Sequence, residues 1–251
     1  MNRTRAILSA RHLPVLRRFA GSHVLLAFDY DGTLSPIAST PARARMPAMT
    51  RRLLVSVAQR YPCAVISGRA FSDISARLAG IPIQHVFGNH GLEPPEPGAA
   101  PHPQIRQWLI LLRERLAGLS GVILEDKRYS LTIHYRAAPH RQRAIEAIHL
   151  ALPALTDLRI IGGSEAVNLL PGSGSNKGLA LRRAMALSAC ETVLYVGDEQ
   201  TDEDAFAAFG PEQLLAIRVE SSRASHARYH LESQKSIDVL LRTLLDARGD
   251  D

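Results

Sequence analysis

Four short apolar runs, each cut off by glycine or a polar turn, constrain this chain more than any other feature. Residues 24–28 run into Asp29-Tyr30-Asp31-Gly32-Thr33, and residues 63–66 end at Ser67-Gly68. Residues 193–196 end at Gly197-Asp198, and residues 214–219 form the fourth run. A strand with one wet face alternates apolar and polar residues, so unbroken runs of this length predict strands buried on both faces of a parallel sheet. Helix-period segments at 49–60, 71–78 and 178–188 lie between them. Strand-helix alternation of this kind predicts an α/β fold, a doubly wound, Rossmann-like parallel-sheet core.

The middle of the chain reads differently. Pro94, Pro95, Pro97, Gly98, Pro101 and Pro103 form a breaker-rich link. After it come a helix at 104–116, strands at 122–126 and 129–135, a helix at 141–152, and strands at 158–161 and 166–170 flanking Gly162-Gly163. The order α-β-β-α-β-β, with hairpin turns, predicts an antiparallel sheet of its own, an α+β cap domain inserted into the core. Gly172 and Gly174 mark the return. The expected division is core 1–97, cap 98–172 and core again 173–251, with tethers that let the cap close over a ligand and exclude water.

Composition narrows the class. At 251 residues the chain suits one core plus a modest insertion, and 46% hydrophobic with 22% charged residues reads as a soluble globular protein. No stretch approaches the roughly 20 apolar residues of a membrane span. Arg3, Arg5, Arg11 and Arg17 interrupt the first segment, so neither a secretory leader nor a membrane role is expected. Cys63 and Cys190 sit in or beside apolar runs and read as two buried thiols, which suits a reducing cytoplasm. The net charge of +6 raises the question of nucleic acid. Basic residues are spread in ones and twos without interleaved aromatics, so the expected partner is an anionic small molecule and no nucleic acid. A monomer or weak oligomer is expected.

The chemistry-bearing residues fall at predicted strand and helix ends, where open parallel sheets bind ligands. One aspartate after a strand is ordinarily a turn former or helix cap. Four polar groups in this order are more telling. Asp29, Asp31, Asp198 and Asp202 would crowd negative charge into one crevice, at a cost of about 4 kcal/mol for each pair ~4 Å apart near a protein surface. Such a cluster needs a cation, and an all-oxygen set suits Mg²⁺. Lys177 and the backbone N–H groups of the Asp-Gly-Thr turn would neutralise a bound phosphate ester, with Ser67 and Thr33 donating to its oxygens. Asp29 is then placed to attack phosphorus, forming an aspartyl-phosphate. Asp31 is expected to act as acid and base, with neighbouring carboxylates raising its pKa. Only three lysines stand among the 30 basic residues, and two of them, Lys127 and Lys177, fall at proposed functional positions.

These motifs, Asp-Tyr-Asp-Gly-Thr-Leu, Ser-Gly-Arg, Lys177 and Gly-Asp-Glu-Gln-Thr-Asp-Glu-Asp-Ala-Phe, span residues 29–206. Their order resembles that of the haloacid dehalogenase superfamily of phosphatases. The last motif is similar to that of the trehalose-6-phosphate phosphatase branch. So are residues 88–93 (Gly-Asn-His-Gly-Leu-Glu) and the stretch from Glu125-Asp126-Lys127 to His134-Tyr135-Arg136. The resemblance implies Asp29 as nucleophile and metal ligand, and Asp31 as acid/base with its carbonyl on the metal. It further implies Ser67 and Lys177 as phosphate binders, Asp198 as the third ligand and Asp202 as the outer acidic position supporting metal and Lys177. It implies Mg²⁺, a cap that covers the site, and hydrolysis of trehalose 6-phosphate. Glu125 and Lys127 match the sugar-binding pair of the cap. Arg69 and His90 are placed to meet substrate.

Two positions depart from the family pattern. Glu199 stands where the family has a second aspartate, and Asn168 falls where a cap glutamate is expected, with Glu165 as a nearby substitute. Asparagine bonds a sugar hydroxyl without charge, so the departure bears on which sugar is held and not on the phosphate chemistry.

Overall fold

All five residues of the first apolar run are fully buried, and they form a central strand of the main sheet. The computed structural model describes residues 4–38, 40–94, 103–163, 165–172 and 176–249. The chain divides into two compact units, residues 1–94 with 175–251, and residues 95–174.

In the first unit the elements are β1 (Arg5–Ala6), α1 (Leu13–Ala20), β2 (Val24–Phe28), α2 (Ala48–Arg60), β3 (Cys63–Ile66), α3 (Phe71–Leu78) and β4 (His85–Phe87). The second unit supplies α4 (Pro103–Arg115), β5 (Ile123–Asp126), β6 (Leu131–His134), α5 (Arg141–Ala151), β7 (Leu158–Gly163) and β8 (Ala166–Pro171). The first unit then resumes with α6 (Lys177–Leu187), β9 (Thr192–Gly197), α7 (Glu203–Phe206), β10 (Leu214–Val219), β11 (Tyr229–Leu231) and α8 (Ile237–Arg248).

The seven strands of the first unit lie in the order β1-β11-β10-β9-β2-β3-β4, every pairing parallel. The expected doubly wound α/β core is therefore present, and the four apolar runs are β2, β3, β9 and β10. Side chains alternate between two buried faces. Val24, Leu26 and Phe28 join a core closed by α1, α2, α3 and α8, whereas Leu25 and Ala27 join one closed by α6 and α7. That double burial explains the apolar runs, which are unbroken in β2, β3 and β9 and interrupted in β10 by the half-buried Arg218. The short strands β1, β4 and β11 carry two or three residues each, too few to show a period.

The second unit builds an antiparallel sheet in the order β5-β6-β8-β7. Ile105, Trp108 and Leu112 of α4 and Ile148 of α5 pack on Leu131, Ile133 and Leu169, giving this unit its own core. The register pairs Glu125 with Thr132 and Thr132 with Asn168, one polar row on the face opposite those leucines. Residues 95–102 of the expected proline-rich link, and Gly174 of the return, lie outside the described residues.

Candidate active site

The sheet ladder sets the first residue of the site. The Asp29 N–H donates to the Val196 carbonyl at 2.8 Å, so Asp29 is the first residue beyond β2, beside the end of β9. The chain then turns through Gly32 at φ 83°, with the Gly32 N–H donating to Ser35 O and the Ser35 N–H to Tyr30 O. A Cβ on Gly32 would stand 2.0 Å from Asp198 Oδ2, so only glycine lets this turn approach the loop after β9. Thr33 Oγ1 donates to Asp198 Oδ1 at 3.3 Å.

Lys177 is delivered by a helix end. Asn176 caps α6 by accepting from the Leu179 N–H, and Lys177, the first helical residue, is wholly buried. Its Nζ donates to Asp29 Oδ1 at 2.8 Å, Asp202 Oδ1 at 2.9 Å and Glu199 Oε1 at 3.2 Å. Burial pulls its pKa down, but Asp202 and Asp29 override that and hold the ammonium well above its ordinary pKa. Asp202 Oδ1 also accepts the Tyr195 hydroxyl at 2.7 Å. Its Oδ2 accepts the N–H groups of Asp198 at 3.0 Å and Glu199 at 2.9 Å. A carboxylate has about four lone-pair positions, so all of those on Asp202 are engaged.

Carboxyl oxygens of Asp29, Asp198 and Asp202 lie within 4.8 Å of one another. Burial raises the Asp29 pKa well above its ordinary value, Lys177 opposing and Asp202 and Asp198 reinforcing. Asp198 is pushed up to about 7, by burial and then by Asp202. Glu199 is held below its ordinary value: burial works against it, but Lys177 and the Thr201 hydroxyl prevail. The extra methylene of Glu199 carries its carboxylate to Lys177. One ammonium facing four carboxylates leaves the site short of positive charge, and its oxygen-only donors fit a hard divalent cation.

Asp31 has a partner that the sequence reading did not assign to it. Both of its oxygens are gripped by Arg69, Nε to Oδ2 at 2.6 Å and Nη2 to Oδ1 at 2.7 Å. Arg69 is in turn braced by Asp73 at 2.7 Å and lies over the Tyr30 ring. The turn after β3 directs the guanidinium back across the sheet edge, which sequence spacing does not reveal. Ser67 follows β3 directly, is buried, and accepts the Arg69 N–H on its hydroxyl. His90 is buried against this turn: its N–H donates to Ser67 O at 2.9 Å, and a Cβ on Gly68 would meet its ring at 2.6 Å. Both Asn89 and His90 adopt positive φ, 54° and 57°, a conformation that costs a non-glycine residue free energy and marks a constrained turn.

Within the second unit, Glu125 Oε2 lies 2.8 Å from His134 Nε2 and 3.8 Å from Lys127 Nζ. Asn168 Oδ1 accepts from the Thr132 hydroxyl at 2.8 Å. Glu165, the substitute weighed for Asn168, is bound by Arg136 at 2.8 Å and Arg141 at 2.5 Å. The structure thus joins Glu125, Lys127 and Asn168 on one sheet face.

Sequence reasoning missed Tyr195, hidden as an aromatic inside an apolar run, and Arg218, whose signal was a lone charge inside the run Leu214–Val219. Glu203 was quoted only as part of a motif.

A parallel core with an inserted α+β unit, and these groups along its carboxyl edge, places the fold in the haloacid-dehalogenase class. A family model described as trehalose-phosphatase matches residues 27–235, and the chain belongs to that family. The trehalose-phosphate phosphatase of Mycolicibacterium paratuberculosis is 35% identical over 235 residues, covering 85% of this chain and 60% of that protein. The chain therefore spans about three fifths of the length of this relative. Among solved structures, the C-terminal domain of C. albicans trehalose-6-phosphate phosphatase is similar with a TM-score of 0.75 at 20% identity, covering 96% of this chain and 97% of that one. Aspergillus fumigatus trehalose-6-phosphate phosphatase is similar with a TM-score of 0.65 at 25% identity, covering 96% and 98%.

Proposed function

We propose that this chain hydrolyses trehalose 6-phosphate to trehalose and phosphate, with Asp29 as nucleophile. The observation that carries the reading is Lys177, a fully buried ammonium bonded to Asp29, Asp202 and Glu199 at the carboxyl edge of the sheet. A buried cation held beside a buried carboxylate is an arrangement for binding a phosphoryl group and attacking it.

In this reading one Asp29 oxygen stays with Lys177 and the other attacks phosphorus. The P–O bond to the sugar breaks as the aspartyl-phosphate forms, and Asp31 gives its proton to the departing oxygen. To do so Asp31 first releases one of its two bonds to Arg69 and takes up a proton from solvent on the freed oxygen. A water then attacks phosphorus, returning its proton to Asp31 and freeing Asp29 and phosphate. Ser67 and Lys177 hold the phosphoryl oxygens. Mg²⁺ bound at Asp29, Asp198 and the Asp31 carbonyl would neutralise the phosphate charge. Asp202 contributes through its charge while its oxygens anchor Lys177 and the loop amides. Sugar hydroxyls are read by Glu125, Lys127 and Asn168.

A second sugar phosphate as substrate is favoured by one observation, the neutral Asn168 amide engaged with Thr132. Phosphate release from trehalose 6-phosphate, sucrose 6-phosphate and glucose 6-phosphate separates the two. Trehalose 6-phosphate is expected to turn over fastest, and equal rates on all three would reject the disaccharide assignment. Asp29→Asn and chelation of Mg²⁺ are each expected to abolish release. Metal-dependent release surviving Asp29→Asn would reject the nucleophile.

A further inference from the structure

The loop that carries Asp198 and Glu199 is held from two sides. Its N–H groups both donate to Asp202 Oδ2. Its carbonyls are both taken by Arg218, Nη2 to Asp198 O and Nη1 to Glu199 O at 3.3 Å. With N–H and C=O of both residues bonded, the three peptide planes these groups belong to are oriented, and with them the Cα–Cβ bond from which the Asp198 carboxylate extends.

Arg218 is anchored in turn. Its Nη1 donates to Glu203 Oε1 at 3.1 Å, and that oxygen also accepts the Ser225 hydroxyl at 2.7 Å. Glu203 Oε2 accepts the His226 N–H at 2.7 Å. Glu203 and Ser225 are both buried. Glu203 lies outside the cluster of Asp29, Asp198 and Asp202, and its charge offsets that of the guanidinium. An arginine neutralised in this way can bond carbonyls beside a metal site without repelling the cation.

We infer that Arg218, anchored by Glu203, is the positioning residue that aims the Asp198 carboxylate at Mg²⁺. The inference rests on the metal-dependent phosphatase reading. Residues that orient a metal ligand cost about 10–100-fold in metal affinity when removed. Arg218→Met should raise the Mg²⁺ dissociation constant by that factor, measured by calorimetry with MgCl₂ alone on the full chain. Arg218→Lys, able to reach one carbonyl, should fall between. At saturating Mg²⁺ the KM for the sugar phosphate should remain that of the wild type, a separation that general loosening would not produce. Circular dichroism verifies the fold. If Arg218→Met does not fold, Glu203→Gln, which keeps a hydrogen-bond acceptor but removes the compensating charge, should weaken Mg²⁺ in the same direction.

Wild-type Mg²⁺ affinity in the folded Arg218→Met chain, or in Glu203→Gln if that chain alone folds, would overturn the inference. So would a wild-type chain that takes up no Mg²⁺. A wild-type chain that binds Mg²⁺ but cleaves no phosphate ester would instead reject the phosphatase reading, and the calorimetric comparison would still decide the role of Arg218.

Discussion

Tyr195 supplies one of the four hydrogen bonds on Asp202, from a fully buried hydroxyl on β9. A hydrogen bond to a charged group contributes about 1.5–3 kcal/mol. Tyr195→Phe keeps the ring against Phe206 and removes only that bond. Its kcat is expected to fall about tenfold, equivalent to ~1.4 kcal/mol, with the circular dichroism spectrum unchanged. An undiminished kcat would mean that Lys177 needs no help from Tyr195. Cys63 gives a second test at this scale. Burial pushes its thiol from an ordinary value of 9.0 up to about 12. The native state keeps a proton that the unfolded chain releases, so this contribution to stability is intact below pH 9 and is lost between 9 and 12. Over that window each pH unit costs up to about 1.4 kcal/mol. Urea midpoints at pH 8 and pH 10.5 should show the fall, and a thiol reagent at pH 8 should spare Cys63 until urea unfolds the chain.

At the scale of elements, the site depends on where strands and helices stop. β2 and β9 end side by side and present Asp29 and Asp198 from neighbouring strand ends. Helix α6 begins at Lys177 because Asn176 caps it, so the capping bond and the lysine position are one structural decision. Asn176→Ala should cost about 1 kcal/mol of stability, the usual value for a lost side-chain cap, read by urea denaturation. It should also weaken inhibition by inorganic phosphate, because the first turn frays where Lys177 sits. Unchanged phosphate inhibition would separate the cap from the lysine. The strand ends were readable, since each apolar run stops at glycine or a polar residue. The direction of Arg69 was not, because it depends on how the turn after β3 meets the turn after β2.

At the scale of the whole molecule there are two hydrophobic bodies with separate cores, the parallel sheet and the small antiparallel one. Leu112 is fully buried in the second. Leu112→Ala should cost about 2–5 kcal/mol, and hydrogen exchange should lose protection first within residues 103–172 while β2 and β9 stay protected. Uniform loss across both bodies would show that they unfold together. The sequence by itself determined the double burial of β2, β3, β9 and β10, the inserted α-β-β-α-β-β unit and the strand-end or helix-end positions of Asp29, Ser67, Lys177 and Asp198, because period and strand-end chemistry are local properties. Only the tertiary structure decided which carboxylates meet Lys177, that Asp31 pairs with Arg69, and that Tyr195 and Arg218 brace the acidic loop. Those contacts join residues far apart in the chain, and their partners are selected by strand register and by the orientation of peptide planes, which no local pattern encodes.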